Sequence, residues 1–234
     1  MTDRTIVVVG GTQGIGLELA KDVVARGDSV VITGRGQERV EQIAASIGPA
    51  ASGVSLDISE PETIAEQLRG VGPVHGLVLA AIERDANSVR EYSIERARRL
   101  VTLKLIGYTE TVHTLLDRME PSRDTGIVLF GGRAKDAPYP GSTTVATING
   151  GVTGLMNALA LELAPIRVNA IHPGIIGDSP FWADKAAALE GYSARTPGGE
   201  LATMADIVDA VQFLLRNRGV SAVNLNVDRG WRIT

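Results

Sequence analysis

The chain has 234 residues, 44% apolar and 21% charged, a balance that excludes a disordered or collagen-like chain and suits a folded domain with its own core. It contains no cysteine, which removes disulfide frameworks, thiolate nucleophiles and Cys-based zinc or iron–sulfur sites. Lys and Arg number 23 against 27 Asp and Glu, a net charge of −4 with no long basic run, so nucleic acid is not an expected partner.

Met1-Thr2-Asp3-Arg4 leads straight into Ile6-Val7-Val8-Val9, without the apolar stretch and small-residue cleavage site of a leader, so a cytoplasmic protein is expected. No apolar run approaches the roughly 20 residues of a membrane helix, and no membrane partner is expected. A strand is predicted over Thr5–Val9. A helix follows, with Ile15, Leu17, Leu19, Ala20, Val23 and Val24 at helical spacing and Gly27 as its stop. A second strand, Ser29–Thr33, completes a βαβ unit.

The same alternation continues to the end. Strands are predicted over Ala51–Leu56, Gly76–Ala81, Gly126–Gly131, Ile166–Ile171 and Val223–Val227. The helices between them are Gln37–Ile47, Glu60–Leu68, Ser93–Met119, Thr143–Leu163 and Thr203–Arg216. Most of the strands are apolar throughout rather than alternating, as in a parallel sheet covered on both faces. The prediction is therefore α/β: a single Rossmann-type domain over 1–234, doubly wound, with a parallel sheet of about seven strands and helices on both faces. In Gly177–Leu201, Gly, Pro and Ser interrupt a short Ala-rich segment, Trp182–Leu189; this stretch reads as either a lid on the substrate side or a surface excursion.

The first strand runs into Gly10-Gly11-Thr12-Gln13-Gly14-Ile15-Gly16, which opens the first helix. Glycine there turns the chain sharply, lets backbone N–H groups reach a pyrophosphate and lets helix and sheet approach closely. The anion then sits at the positive end of the helix dipole. The second strand ends Thr33-Gly34-Arg35. An acidic side chain at this edge accepts a ribose 2′-OH, whereas a guanidinium pairs with a 2′-phosphate, so Arg35 argues for NADP(H) over NAD(H) unless it is a solvated surface arginine. Thr12 and Gln13 offer neutral hydrogen bonds on the same rim.

The Gly10-x-x-x-Gly14-x-Gly16 spacing, Asp57-Ile58 after the third strand and Arg167-Val168-Asn169-Ala170-Ile171-His172-Pro173-Gly174 at the sixth resemble the short-chain dehydrogenase/reductase family over nearly the whole chain. The closing Val227-Asp228-Arg229-Gly230 is similar to that family's end. The resemblance implies that Asp57 holds the adenine with Ile58 beside the ring. It also implies that Ala80 and Ala81 line the cofactor after the fourth strand, and that Pro173, Gly174 and Ile176 position the nicotinamide. A symmetric homodimer or homotetramer through the two long helices is likewise implied.

The family's proton relay maps onto other residue types. Its serine position falls on Gly132, its tyrosine on Val145, its lysine on Asn149 and its helix asparagine on Lys104. Carbonyl reduction needs an acid to protonate oxygen as hydride arrives, and valine has no proton to donate. The candidates for the catalytic role are Tyr139, Lys104 and Asn149. Tyr139 lies on a loop six residues before Val145. Lys104 is either a buried amine of depressed pKa or a lysine that ion-pairs or snorkels to water. Asn149 either hydrogen-bonds the nicotinamide ribose or packs as a helix amide.

Arg133 is a candidate clamp for an anionic substrate, or a rim charge. Asp178 would repel phosphates unless it turns away. His75, His113 and His172 are too scattered for a metal site, and none is expected. Three functions stay open. One is an NADP(H)-dependent oxidoreductase that reduces a small-molecule imine, carbonyl or activated double bond with an atypical proton source. The others are a non-redox lyase, isomerase or cyclase, and an inactive nucleotide-binding regulatory or structural protein.

Overall fold

The computed structural model describes residues 4–231. Its strands are β1 (Thr5–Val9), β2 (Ser29–Gly34), β3 (Ala51–Ser55), β4 (Gly76–Leu79), β5 (Gly126–Phe130), β6 (Arg167–Pro173) and β7 (Asn224–Val227). They form one seven-stranded parallel sheet in the order β3-β2-β1-β4-β5-β6-β7. The helices are α1 (Gly14–Ala25), α2 (Gln37–Ile47), α3 (Ile64–Gln67), α4 (Ile94–Val101), α5 (Gly107–Leu115), α6 (Thr143–Glu162), α7 (Ala186–Ser193) and α8 (Met204–Arg216). Among the described residues, no helix is long and apolar enough to cross a membrane.

The central strands are apolar throughout because both faces of the sheet are covered. In β1, Ile6 and Val8 join Leu19 and Val23 of α1 and Val211 and Leu215 of α8 on one face. Val7 and Val9 join Tyr108, Val112 and Met156 on the other. Each such side chain is nearly inaccessible and contributes about 1.5–3 kcal/mol through burial. Arg167 is the largest fully buried side chain. Its guanidinium donates to the carbonyls of Leu214 and Leu215 at 2.6 and 2.8 Å, placing its charge at the negative end of α8.

Two expected helices differ. Glu60–Leu68 is a short 3-10 turn from Pro61 to Thr63 followed by the single turn of α3. Ser93–Met119 is divided by a π-helical segment, Thr102–Ile106, between α4 and α5. This wide turn ends at Gly107, where a Cβ would overlap the carbonyl oxygen of Ile58. Close helix–loop contact therefore requires glycine, and π turns of this kind concentrate at functional sites.

β1 pairs with β2 on one side and β4 on the other, so the chain leaves β1 in opposite directions across the sheet. The crevice at the carboxyl ends of β1 and β4 is the topological switch point where open α/β sheets bind ligands.

Candidate active site

Three observations at the β1–α1 turn fit a pyrophosphate. Gly10, at φ 88°, donates its N–H to the Thr33 carbonyl at 3.2 Å, and Gly11 donates to the same oxygen at 3.0 Å, tying the turn to the end of β2. A side chain on Gly10 would begin 2.8 Å from the Ala81 backbone, and one on Gly16 would overlap the Gly10 carbonyl. The Gln13 side chain makes no capping hydrogen bond to α1, which leaves the first N–H groups at Gly14, Ile15 and Gly16 free to face an anion. Thr12 packs its methyl against Gly34 on the same rim.

Arg35 follows β2 with its side chain 66% exposed, and its Nη1 lies 3.2 Å from Glu83 Oε1. Glu83 also receives both Nε and Nη2 of Arg99 from α4, at 2.7 and 2.6 Å. Asp57 Oδ1 accepts from the Ser59 N–H at 3.0 Å and from its hydroxyl at 2.6 Å. Burial works to raise the Asp57 carboxyl, but the Ser59 hydrogen bonds outweigh it, with help from Arg99 and Arg35, and hold it below the usual carboxylate range. Ile58, expected beside an adenine ring, has its side chain buried in the core.

At the other end of the crevice, the Ala80 N–H donates to Val9, and the Ala81 carbonyl accepts from the fully buried Tyr108 hydroxyl at 2.9 Å. Lys104, in the π turn, is 3% exposed, with Nζ 5.8 Å from the Tyr108 ring centroid. Among the described residues it makes neither an ion pair nor a hydrogen bond. Burial lowers its amine from an ordinary 10.5 to about 7. Asn149 of α6 is also buried, and its Nδ2 lies 2.7 Å from where a side chain on Gly132 would start. Pro173 ends β6. Gly174 donates to the Val227 carbonyl at 3.0 Å, and Ile176 is buried where the chain pairs with Ala202.

His172 is fully engaged. Its Nδ1 accepts from the Gly132 N–H at 3.2 Å and its Nε2 lies 2.8 Å from Asn224 Oδ1, so the neutral tautomer carries its proton on Nε2. Burial lowers it to about 4 despite the Asn224 contact. Arg133 is not an open clamp: it is buried, with Nη1 2.5 Å from Asp136 and Nε 2.6 Å from Asp228. The Asp228 approach is a charge contact whose angle falls outside that of a hydrogen bond. Asp178 accepts from the Met204 N–H at 2.8 Å at the start of α8, so its carboxylate has a structural partner of its own.

Tyr139 is 54% exposed, and burial of the remainder raises its phenol against the opposing effect of Arg84. The 177–201 excursion closes at its neck through the Ile176–Ala202 bridge. It brings Phe181, Trp182 and Tyr192 into edge-on contact in sequence, with centroids 4.8 and 5.5 Å apart. Arg84, from the loop after β4, lies 3.2 Å over the Phe181 ring, with Lys185 at 3.4 Å. Motif reading missed Glu83, Arg84, Arg99 and Tyr108, because their positions lie outside any glycine or Pro-Gly signature and converge only in three dimensions.

The short chain dehydrogenase family model matches residues 4–189, and the chain belongs to this family. Its members bind nicotinamide cofactors. The 3-oxoacyl-[acyl-carrier-protein] reductase of Bos taurus is 30% identical, with 99% of each chain covered. The inactive 2-(S)-hydroxypropyl-CoM dehydrogenase 2 of Xanthobacter autotrophicus is also 30% identical, over 86% of this chain and 92% of that one. Short-chain dehydrogenase/reductase malC of Malbranchea aurantiaca is 23% identical, over 97% of this chain and 94% of its own length. The solved structure of MalC Reductase/Diels-Alderase superposes with a TM-score of 0.90 at 22% identity, covering 99% and 97% of the two chains.

Proposed function

We propose that the chain is an NADP(H)-dependent oxidoreductase acting on a small-molecule imine, carbonyl or activated double bond. The observation that carries this reading is the pairing of the pyrophosphate-shaped turn at Gly10–Gly16 with Arg35 at the end of β2. Reduced nicotinamide supplies the hydride when bound. Ala80, Ala81, Pro173, Gly174 and Ile176 form the walls that orient it, and Asn149 offers an amide to its ribose. Lys104 is the proton source in this reading. Its ammonium gives a proton to the heteroatom of an imine or carbonyl, or to the α-carbon of an activated double bond, as hydride reaches the carbon at the other end, and the neutral amine recovers the proton from water. An amine held near 7 carries both forms at neutral pH. Tyr139 and the 177–201 lid, with Arg84 against Phe181, border the substrate side.

Fluorescence titration of NADPH and NADH tests the nucleotide half, and absence of binding by either would sink it. A panel of imines, enones and ketones then tests the chemistry. Reduction by the wild type should slow as pH rises through about 7. Lys104→Met should lose that dependence, and an unchanged pH profile in the variant would remove Lys104 from the role.

A second reading has support of its own. One relative is named both reductase and Diels-Alderase, so a cyclisation in the same crevice is a non-redox alternative. Cofactor-independent turnover of a cyclisable diene would favour it. An inactive relative likewise keeps a regulatory or structural role in view, and turnover with no substrate in the panel would favour that role.

A further inference from the structure

We infer that Arg35 and Arg99 together form a site for the 2′-phosphate of the adenosine half, and that Glu83 competes with this phosphate for both guanidinium groups. The inference rests on the NADP(H) reading above. Three separate elements meet here: the end of β2 supplies Arg35, α4 supplies Arg99, and the loop between β4 and α4 supplies Glu83. One carboxylate serves both arginines. Glu83 Oε1 lies 3.2 Å from Arg35 Nη1 and 2.6 Å from Arg99 Nη2, and its Oε2 lies 2.7 Å from Arg99 Nε. Arg99 is therefore held in the two-point fork geometry by which guanidinium recognises planar anions.

Charge decides how this cluster meets a phosphate. Two guanidinium groups face three carboxylates, Glu83, the neighbouring Asp57 and, more weakly, Glu60, so the cluster has no positive excess. A phosphate monoester approaching it with Glu83 in place would meet all of these negative charges. With Glu83 turned out, it would meet two open forks with only Asp57 and the weaker Glu60 opposing it. The exchange is feasible because the pairs are partly solvated, the side chains of Arg35, Arg99 and Glu83 being 66%, 40% and 25% exposed. Exposed pairs of this kind contribute little net stability. Asp57 forms no ion pair with either arginine among the described residues and acts on them only through space, its Oδ1 accepting from Ser59 instead.

The test is calorimetric titration of the full chain with adenosine 2′,5′-bisphosphate, 5′-AMP and inorganic phosphate, a set that reads binding without turnover. Arg35→Ala and Arg99→Ala should each weaken the 2′,5′-bisphosphate about tenfold and leave 5′-AMP unchanged. Glu83→Gln keeps the shape but removes the charge, and should strengthen the 2′,5′-bisphosphate about two- to fivefold. Arg99→Lys keeps charge without the fork. It should fall between wild type and Arg99→Ala, and it replaces that variant if melting shows Arg99→Ala to be unfolded.

If Arg35→Ala weakens binding but the Arg99 variants do not, the shared site is wrong while the NADP(H) reading stands. If the wild type does not distinguish 2′,5′-bisphosphate from 5′-AMP, the NADP(H) reading itself fails. Unchanged affinity in Glu83→Gln overturns the competing role of the carboxylate. Inorganic phosphate binding as tightly as the bisphosphate would make this a free-anion site and overturn the nucleotide assignment.

Discussion

The amide nitrogen of Asn149 fills the space in front of Gly132, 2.7 Å from where a side chain there would begin. Absence of a side chain at one position and a buried amide at the other form one packing arrangement joining the end of β5 to α6. Adding a hydroxyl at Gly132 therefore requires Asn149 to move. Gly132→Ser alone is expected to destabilise the protein by about 1–3 kcal/mol through overpacking. Asn149→Ala should relieve part of that cost, giving a non-additive double-mutant cycle in urea denaturation. Additive effects would show that the two positions are energetically independent.

Lys104 gives stability a defined pH dependence. The unfolded lysine keeps its proton up to an ordinary 10.5, whereas the folded one releases it near 7. Between these values the unfolded chain binds more protons, so this contribution makes stability rise with pH, and the penalty is fully present below about 7. Lys104→Met should flatten the dependence and raise stability near neutral pH by on the order of a few kcal/mol. Denaturation of both proteins at several pH values measures the difference in slope.

His172 should remain neutral through the range where an ordinary histidine titrates. Its folded value of about 4 lies below the ordinary 6.5, so the unfolded state takes up a proton first as pH falls. Its contribution to stability is thus present above about 6.5 and declines as pH falls toward 4. Nitrogen NMR of labelled histidine near pH 6 should find the ring neutral with its proton on Nε2. An imidazolium at that pH would contradict the Gly132–His172–Asn224 chain of hydrogen bonds.

Gly16→Ala places a methyl group against the Gly10 carbonyl and should open the β1–α1 turn. NADPH and NADH are expected to weaken together, by more than about tenfold, because both share the pyrophosphate. Arg35→Ala should instead weaken NADPH selectively. Titration of the two nucleotides against both variants separates these patterns, and unchanged binding in Gly16→Ala would remove the pyrophosphate from this turn.

Much of the fold is legible along the chain because its signals are local. β1 alternates its side chains between two apolar clusters, which gives a continuous hydrophobic run, and Gly27 marks the end of α1. The break between α4 and α5 is not legible in this way. Its sequence is helical on both sides, and the π turn is seated by close contact between Gly107 and Ile58, 49 residues earlier in the chain. The glycine turn, Arg35 and Asp57 could be named as candidates because a short motif carries each of them. Glu83 and Arg99 belong to no motif, and they meet Arg35 only because β2, β4 and α4 converge at the same sheet edge.

The parallel α/β architecture and the sharp glycine turn after β1 follow from the order of residues alone, since periodicity and backbone freedom are properties of neighbouring residues. Only the tertiary structure decided the electrostatic state of the side chains. It buries Lys104 with no charge partner among the described residues, fixes His172 between Gly132 and Asn224, and takes Arg133 out of circulation by pairing it with Asp136 and Asp228. Desolvation and Coulomb energy depend on what surrounds a group in space, and those surroundings come from segments far apart in the chain.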